Sequence, residues 1–428
     1  LAVMECAANK CLEFCICSAA TTSTFANMSN ARKLISLKFP IGVATTYNAL
    51  FSSIILTMQR LLTVILVLVV TLYGSSPAFS TSPDETPVEA AVSQVSATPH
   101  IALILPLEST SFGQAADIVK EGFVAATMRE QALPLMIRIY ATTDDPLDTF
   151  ITYRQALDAG AVMVVGPLTR NGVSALASSS EITVPTLALN AADNNQTLPK
   201  NLYLFGLQLE NEANQLAKLA MSGLKSNAII IGDDSSLSRR LQTAFAEQWL
   251  SRQGNTADSV RYANDPTVLR QFRKLTAGKN NLIFLTLDAT KSRVLRSFLD
   301  PEVPVYATSQ IFVSADDFLF NNDLNDIQFM DMPWLLQPDH PAVMAYRHAE
   351  KTRSTDMERL YALGIDAFRI MTYILQTRSA QNIAFDGVTG YIRFVPPNQF
   401  VRESIAARID KGRVQLITTQ KDTVIDER

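Results

Sequence analysis

From His100 onward, short runs of almost unbroken apolar residues alternate with longer stretches in which apolar positions recur every three or four residues. The short runs predict strands at Ile101–Leu105, Leu135–Tyr140, Ala161–Val165, Thr186–Leu189, Ala228–Ile231, Leu282–Leu287 and Val303–Ala307. A strand is apolar on both faces when helices cover both sides of a parallel sheet. The longer stretches predict helices at Gly113–Arg129, Leu147–Ala159, Glu210–Leu224, Ser236–Arg252, Pro266–Thr276 and Thr290–Phe298. Asp145-Pro146 and Asp265-Pro266 stand before two of them, an acidic cap followed by proline being a helix start. This alternation specifies an α/β protein. Four strands precede residue 208 and three follow it, so two lobes are expected rather than one sheet. Helices return at His340–Thr352 and Met357–Arg378, and a turn-and-strand tail follows at Asp386-Gly387, Thr389-Gly390, Tyr391–Val395 and Gly412. The chain is therefore expected to cross between lobes more than once.

A different pattern precedes this body. Met58-Gln59-Arg60 leads into the apolar run Leu61–Leu72, followed by Gly74, Pro77 and Ala78-Phe79-Ser80. A basic start, a run too short for a bilayer and small residues at the cut site predict a secretory signal peptide cleaved after Ser80. Residues 1–57 are expected to be an unstructured upstream extension, with translation starting at Met58, and residues 81–98, rich in Pro, Ser, Thr and Ala, a flexible tether. The expected division of the rest is lobe 1 at 99–208 plus 330–380, lobe 2 at 209–329 plus 381–418, and a tail at 419–428. The export signal predicts a periplasmic product. No cysteine follows the apolar run, so lipid attachment by a lipobox is not expected.

Composition narrows the chemistry. The 428 residues are 47% hydrophobic and 18% charged, enough apolar matter for a sizeable core. With 37 basic against 41 acidic residues, the net charge of −4 has the wrong sign for a protein that coats nucleic acid. Cys6, Cys11, Cys15 and Cys17 are the four cysteines. The body therefore has no thiolate for zinc, an iron–sulfur cluster, a disulfide or nucleophilic catalysis. Its three histidines form no HExxH, and GxSxG, Walker A and GxGxxG are all missing, so no catalytic residue, metal or cofactor is expected. Ser222-Gly-Leu-Lys225 has the SxxK spacing of penicillin-binding enzymes, but it falls at a helix end with no SDN or KTG companion and reads as a chance match.

Two α/β lobes with several crossings behind a signal peptide resemble a type I periplasmic binding protein, each lobe a mostly parallel sheet flanked by helices. Specific strings go further: Ile101 to Leu107 (IALILPL), Val164 to Leu168 (VVGPL), Val184 to Asn190 (VPTLALN), Leu202 to Leu207 (LYLFGL), Tyr306 to Ser309 (YATS), Phe329 to Trp334 (FMDMPW), Arg359 to Ala367 (RLYALGIDA) and Asp386 to Gly390 (DGVTG). In order and spacing these resemble the penicillin-binding-protein activator family of the LppC or LpoA type over residues 100 to about 416. The resemblance implies a non-catalytic regulator in the envelope of a Gram-negative bacterium, one that binds a bifunctional peptidoglycan synthase and stimulates it. Members typically carry a lipid anchor, and larger ones a helical-repeat domain ahead of this fold, which the 18 residues expected as a tether at 81–98 are too few to form.

Loops at the carboxyl ends of parallel strands would line an interlobe cleft. The candidates there are Ser109, Ser111, Thr169, Asn171 and Asn190 from lobe 1, and Asp233, Asp234, Asp288, Ser309 and Gln310 from lobe 2. Hydroxyls and helix-start amides would suit a carboxylate, and Asp288 an ammonium, which is the chemistry of a solute receptor for an amino acid or similar small polar ligand. The same residue types also cap helices. Gly166-Pro167 is expected to turn Thr169 and Asn171 toward the cleft, or simply to turn the chain. Phe329–Trp334 is expected as a buried crossing strand, Trp249 as core, and Arg239 and Arg240 as a solvated helix face.

Overall fold

The computed structural model describes residues 97–417 apart from 131–133, 194–196, 224, 252–255, 315–316 and 347–352. The expected extension at 1–57, the leader at 58–80, nearly all of the tether and the tail at 419–428 lie outside the described residues, as does the second half of the helix expected at 340–352.

The described chain begins β1 (His100–Leu105), α1 (Gly113–Glu130), β2 (Met136–Ala141), α2 (Pro146–Asp158), β3 (Ala161–Val165), α3 (Arg170–Ala177), β4 (Thr186–Ala188), β5 (Leu202–Leu204). It continues α4 (Leu209–Ala220), β6 (Asn227–Gly232), α5 (Ser236–Leu250), β7 (Thr256–Arg261), α6 (Pro266–Thr276), β8 (Asn281–Leu285), α7 (Ala289–Arg296), β9 (Val305–Ala307), α8 (Phe318–Asn322), β10 (Ile327–Asp331). The last part is α9 (Pro333–Leu336), α10 (Pro341–Met344), α11 (Thr355–Thr377), β11 (Ala384–Asp386), β12 (Tyr391–Val395), β13 (Gln399–Glu403), β14 (Ile405–Asp410), β15 (Arg413–Leu416).

These strands form two sheets, in the orders β11-β12-β13-β5-β4-β3-β1-β2 and β15-β14-β10-β9-β8-β6-β7. In the first, β2, β1, β3, β4, β5 and β13 run parallel to their neighbours, and β12 and β11 are antiparallel additions. In the second, β7, β6, β8, β9 and β10 are parallel, with β14 and β15 added antiparallel. The chain passes from the first sheet to the second after β5, back after β10, and over again at Ser404 between β13 and β14. The fold is the expected α/β pair of lobes.

Burial explains the pattern. All six residues of β1 are buried, because α1 and α11 cover one face of the sheet and α2 and α3 the other. The second sheet is packed the same way on both faces. Phe329 and Trp334 are buried as expected, and so is Trp249, stacked on Phe245. The lobe boundary needs a correction at the carboxyl end. Residues 381–403 belong to the first sheet, not to lobe 2, since β13 pairs with β5 while Ile392 and Phe400 fill the first lobe's core. Alternating polarity reveals which face of a strand is buried, not which sheet receives it.

The tightest packing in the first lobe joins α1 to α11. A methyl group at Gly122 would fall on the Tyr361 carbonyl, and one at Gly364 on the Val119 carbonyl, so each helix rests its backbone on the other's glycine. Phe123 and Phe368 meet edge to face beside them, ring centres 5.3 Å apart. Because backbone rather than flexible side chain blocks the added group, Gly364→Ala is expected to destabilise by about 2–3 kcal/mol, toward the upper end for overpacking. Denaturant unfolding measures it, and a loss below about 0.5 kcal/mol would mean the helices slide apart freely.

Candidate functional site

The loops beyond the parallel strands start helices, and most of the expected site residues serve those starts. The Ser109 hydroxyl accepts the N–H groups of exposed Ser111 at 3.2 Å and Phe112 at 3.0 Å, just ahead of α1. Gly166, at φ 110°, turns the chain out of β3, where a side chain would meet the Ile104 carbonyl. Thr169 then caps α3 by accepting from Gly172 N at 3.2 Å, and Asn171 sits exposed in the first turn. Asn190 ties two loops together, donating to Leu168 O and accepting from Ala191 N, both at 2.9 Å.

In the second lobe, Asp288 caps α7 through Lys291 N. Asp233 and Asp288 converge on the Lys291 ammonium at 2.7 and 3.0 Å. The acid expected to receive a ligand's ammonium therefore already holds one from the chain. Asp234 is exposed and paired with Arg261. Ser309 is buried, its N–H bound to Glu212 Oε2 at 2.9 Å and its carbonyl accepting from Arg359, with half-buried Gln310 next to it.

Between the lobes lies a cavity of about 550 Å³, lined by Arg170 and Ala191 from the first, by Ser236, Arg239 and Arg240 from the second, and by Glu210 at the crossing. The amino ends of α3, α4 and α5 all border it, so helix dipoles add to the positive charge of the arginines. Glu210 Oε1 accepts from Arg240 Nε at 2.7 Å and from Arg170 Nη2 at 3.3 Å. Burial raises the Glu210 carboxyl, but the hydrogen bond from Arg240 and the charge of Arg170 outweigh it and hold the group below its ordinary value. A carboxylate of the chain itself thus sits where two lobes offer guanidinium groups to an anion. Arg240 is not on a merely solvated face, as its sequence context suggested. Arg170 and Glu210 carried no sequence signal, because their pairing joins residues 40 positions apart.

Behind this cleft, the crossings are joined by buried charge. Glu212 and Arg402 pair at 2.5 Å with side chains 1% and 3% exposed, and Arg402 also reaches Ser404 Oγ at 2.9 Å. Arg359 pairs with Asp331 at 2.6 Å and donates to the carbonyls of Ser309 and Phe312. Burial pushes the Glu212 carboxyl up, against the opposing charge of Arg402. Burial would lower the Arg359 guanidinium, yet Asp331 and Asp356 hold it above its usual range. Each pair joins the lobes: α4 to β13, and β10 to α11. Among the described residues, no group of three or more histidine, cysteine, aspartate or glutamate side chains could hold a metal ion.

Fold and site together define a two-lobed protein of the periplasmic-binding type whose cleft is tied by its own side chains. The chain belongs to the family described as "LppC putative lipoprotein", whose model matches residues 71–406. It is 24% identical over 358 residues to penicillin-binding protein activator LpoA of Photobacterium profundum, covering 74% of this chain and 56% of that one. The chain spans about half the length of the curated relatives it matches. The LpoA C-domain of Haemophilus influenzae, described as a regulator of PBP1A, superposes with a TM-score of 0.62 at 23% identity, covering 74% of this chain and all of that one. A structure from Chromobacterium violaceum, described as "a putative branched-chain amino acid ABC transporter", superposes equally well, with a TM-score of 0.62 at 36% identity over 73% of this chain and 99% of that one. No helix among the described residues is long and apolar enough to cross a membrane.

Two predictions follow from these charges. Arg402→Met leaves Glu212 buried without its guanidinium and is expected to cost about 3–5 kcal/mol, whereas the double variant Glu212→Met/Arg402→Met recovers most of that loss. A double-mutant cycle in urea decides it, near-additive losses counting against the pairing. For Asp233, burial raises the carboxyl, but the hydrogen bonds from Lys291 and Ser235 win and hold it at about 2. A depressed acid stabilises the fold above its unfolded value of about 3.9, and that contribution is lost as pH falls toward 2. Acid titration of stability should accordingly be shallower between about pH 4 and pH 2 in Asp233→Asn than in the parent.

Proposed function

We propose that this protein is a non-catalytic regulator of the cell envelope, acting in the periplasm, which docks onto a bifunctional penicillin-binding protein and stimulates peptidoglycan synthesis by contact. The observation that carries the reading is the Glu210 carboxylate, held between Arg170 of one lobe and Arg240 of the other. With Asp288 and Asp233 already on Lys291, the charged groups best suited to a ligand's ammonium and carboxylate have internal partners. Such a body presents a surface rather than a closing trap. Membership of the LppC family and likeness to proteins named penicillin-binding protein activators support the partner class.

A second reading is a solute receptor for an amino acid or similar small polar ligand. What favours it is the cavity of about 550 Å³ itself, together with likeness to the protein described as a branched-chain amino acid transporter. One experiment separates the two. Pull-down with a purified bifunctional synthase, with its polymerisation rate measured, should show binding and faster synthesis that persist in Glu210→Ala. Thermal shift with free amino acids and peptidoglycan fragments should leave the melting temperature unmoved, since a ligand of the folded state raises it. A ligand-dependent rise with no synthase binding would replace the regulator by the receptor.

A further inference from the structure

A second cavity, of about 530 Å³, lies in the second lobe at the opposite end of its strands from the cleft, where α6 and α7 finish. Arg273 from the last turn of α6 and Arg293 and Arg296 from the last turn of α7 face it, with Asn322 and Asn325 across from them. Basic residues at helix ends ordinarily answer the carbonyls of their own helix. Here the described contacts are different. Arg293 lies over the Phe320 ring, 3.9 Å from its centre, and pairs with Asp323. Arg296 donates through Nε to Asn325 O at 3.0 Å, and its one nearby carboxylate, Asp326, stands 3.9 Å from Nη2.

The Arg296 side chain is 12% exposed, and its terminal nitrogens make no hydrogen bond to any described residue. Arg273 has no ion pair among the described residues. A guanidinium so far withdrawn from water normally has a carboxylate at hydrogen-bond distance, because an under-neutralised buried charge is costly. Burial dominates at Arg296 and lowers its proton affinity, with Asp326 too distant to restore it. The open donors of Arg296 and the free charge of Arg273 point into the same space. Asp323 is taken by Arg293 and Asp326 answers Arg296 only from 3.9 Å, so Arg273 and Arg296 keep charge and donors that suit an oxyanion such as phosphate.

We propose that Arg273, Arg293 and Arg296 form a binding site for a phosphate group carrying about two negative charges, whether on a small molecule or on a lipid headgroup. Guanidinium forks match phosphate oxygens in pairs, and Arg296 is already fixed by Asn325 for such a contact. The site shares no lining residue with the cleft, and it holds whichever function the protein has.

The test titrates the full chain with inorganic phosphate at constant ionic strength and, separately, floats it with phosphatidylcholine vesicles containing phosphatidic acid against vesicles of phosphatidylcholine alone. Saturable phosphate binding at about millimolar or tighter affinity assigns a soluble ligand. Selective flotation with phosphatidic acid assigns a headgroup. Either result must weaken about tenfold in Arg296→Gln and in Arg273→Gln, the loss of one charge-assisted contact. Arg273 is exposed, so its replacement leaves folding unchanged and the comparison valid even if Arg296→Gln unfolds. Absence of binding in both arms, or binding equally strong in Arg273→Gln, overturns the site.

Discussion

Glu212, Asp331 and Arg402 each lie within four residues of a point where the backbone passes between the sheets, and none of them can be buried alone. Taking a carboxylate or guanidinium out of water costs several kcal/mol before any contact is made. The cost is offset when Arg402 meets Glu212 and Arg359 meets Asp331, with Ser309 N–H donating to Glu212 and the Ser309 and Phe312 carbonyls accepting from Arg359, while Arg402 Nε stays buried without a partner among the described residues. Each partner comes from the other lobe, so neither pair forms until both lobes are folded and docked. Apolar residues of equal size would pack there as stably. They would not fix the relative placement of the lobes, since dispersion contacts tolerate sliding and a paired fork does not.

The front of the molecule is held by weaker means. Arg170, Glu210 and Arg240 are each between about a quarter and two fifths exposed, and half-exposed ion pairs contribute little each. The geometry is nonetheless informative. Three helix starts and three arginines would make a strongly positive cleft, and two carboxylates, Glu247 on its wall and Glu210 between Arg170 and Arg240, reduce that field. A receptor gains affinity by leaving such charge for its ligand, whereas a scaffold gains stability by neutralising it.

The sequence disclosed these layers unequally. β1, β3, β6 and β8 could be read directly, because strands buried on both faces are apolar throughout. β7, Thr-Ala-Asp-Ser-Val-Arg, could not, since an edge strand exposed to water carries polar residues that look like a loop. The loops bearing Asp233 and Asp288 were located correctly from strand ends, but nothing local foretold that both would turn to Lys291, 58 and 3 residues away. The same holds for Glu212 and Arg402, 190 positions apart. Asp331 is the exception: one acid inside Phe329–Trp334 has to find a cation, and the chain offers Arg359 at the head of another of the distinctive strings.

The position of the two kinds of ion pair decides what motion the fold permits. Parting both buried pairs would strip four charges of their partners, each costing several kcal/mol while it stays out of water, against a whole binding free energy of about 8 kcal/mol for a micromolar ligand. A ligand shifts a conformation only by its differential affinity, so separation or twisting of the lobes at the rear is closed to it. Rotation about an axis through the crossings would leave those pairs in place and strain the contacts of Glu210 at the front. Whether this body grips or is gripped therefore turns on the contacts of Glu210, a side chain about a quarter exposed, while Arg273 and Arg296 at the far end of the second lobe stand outside those contacts in either case.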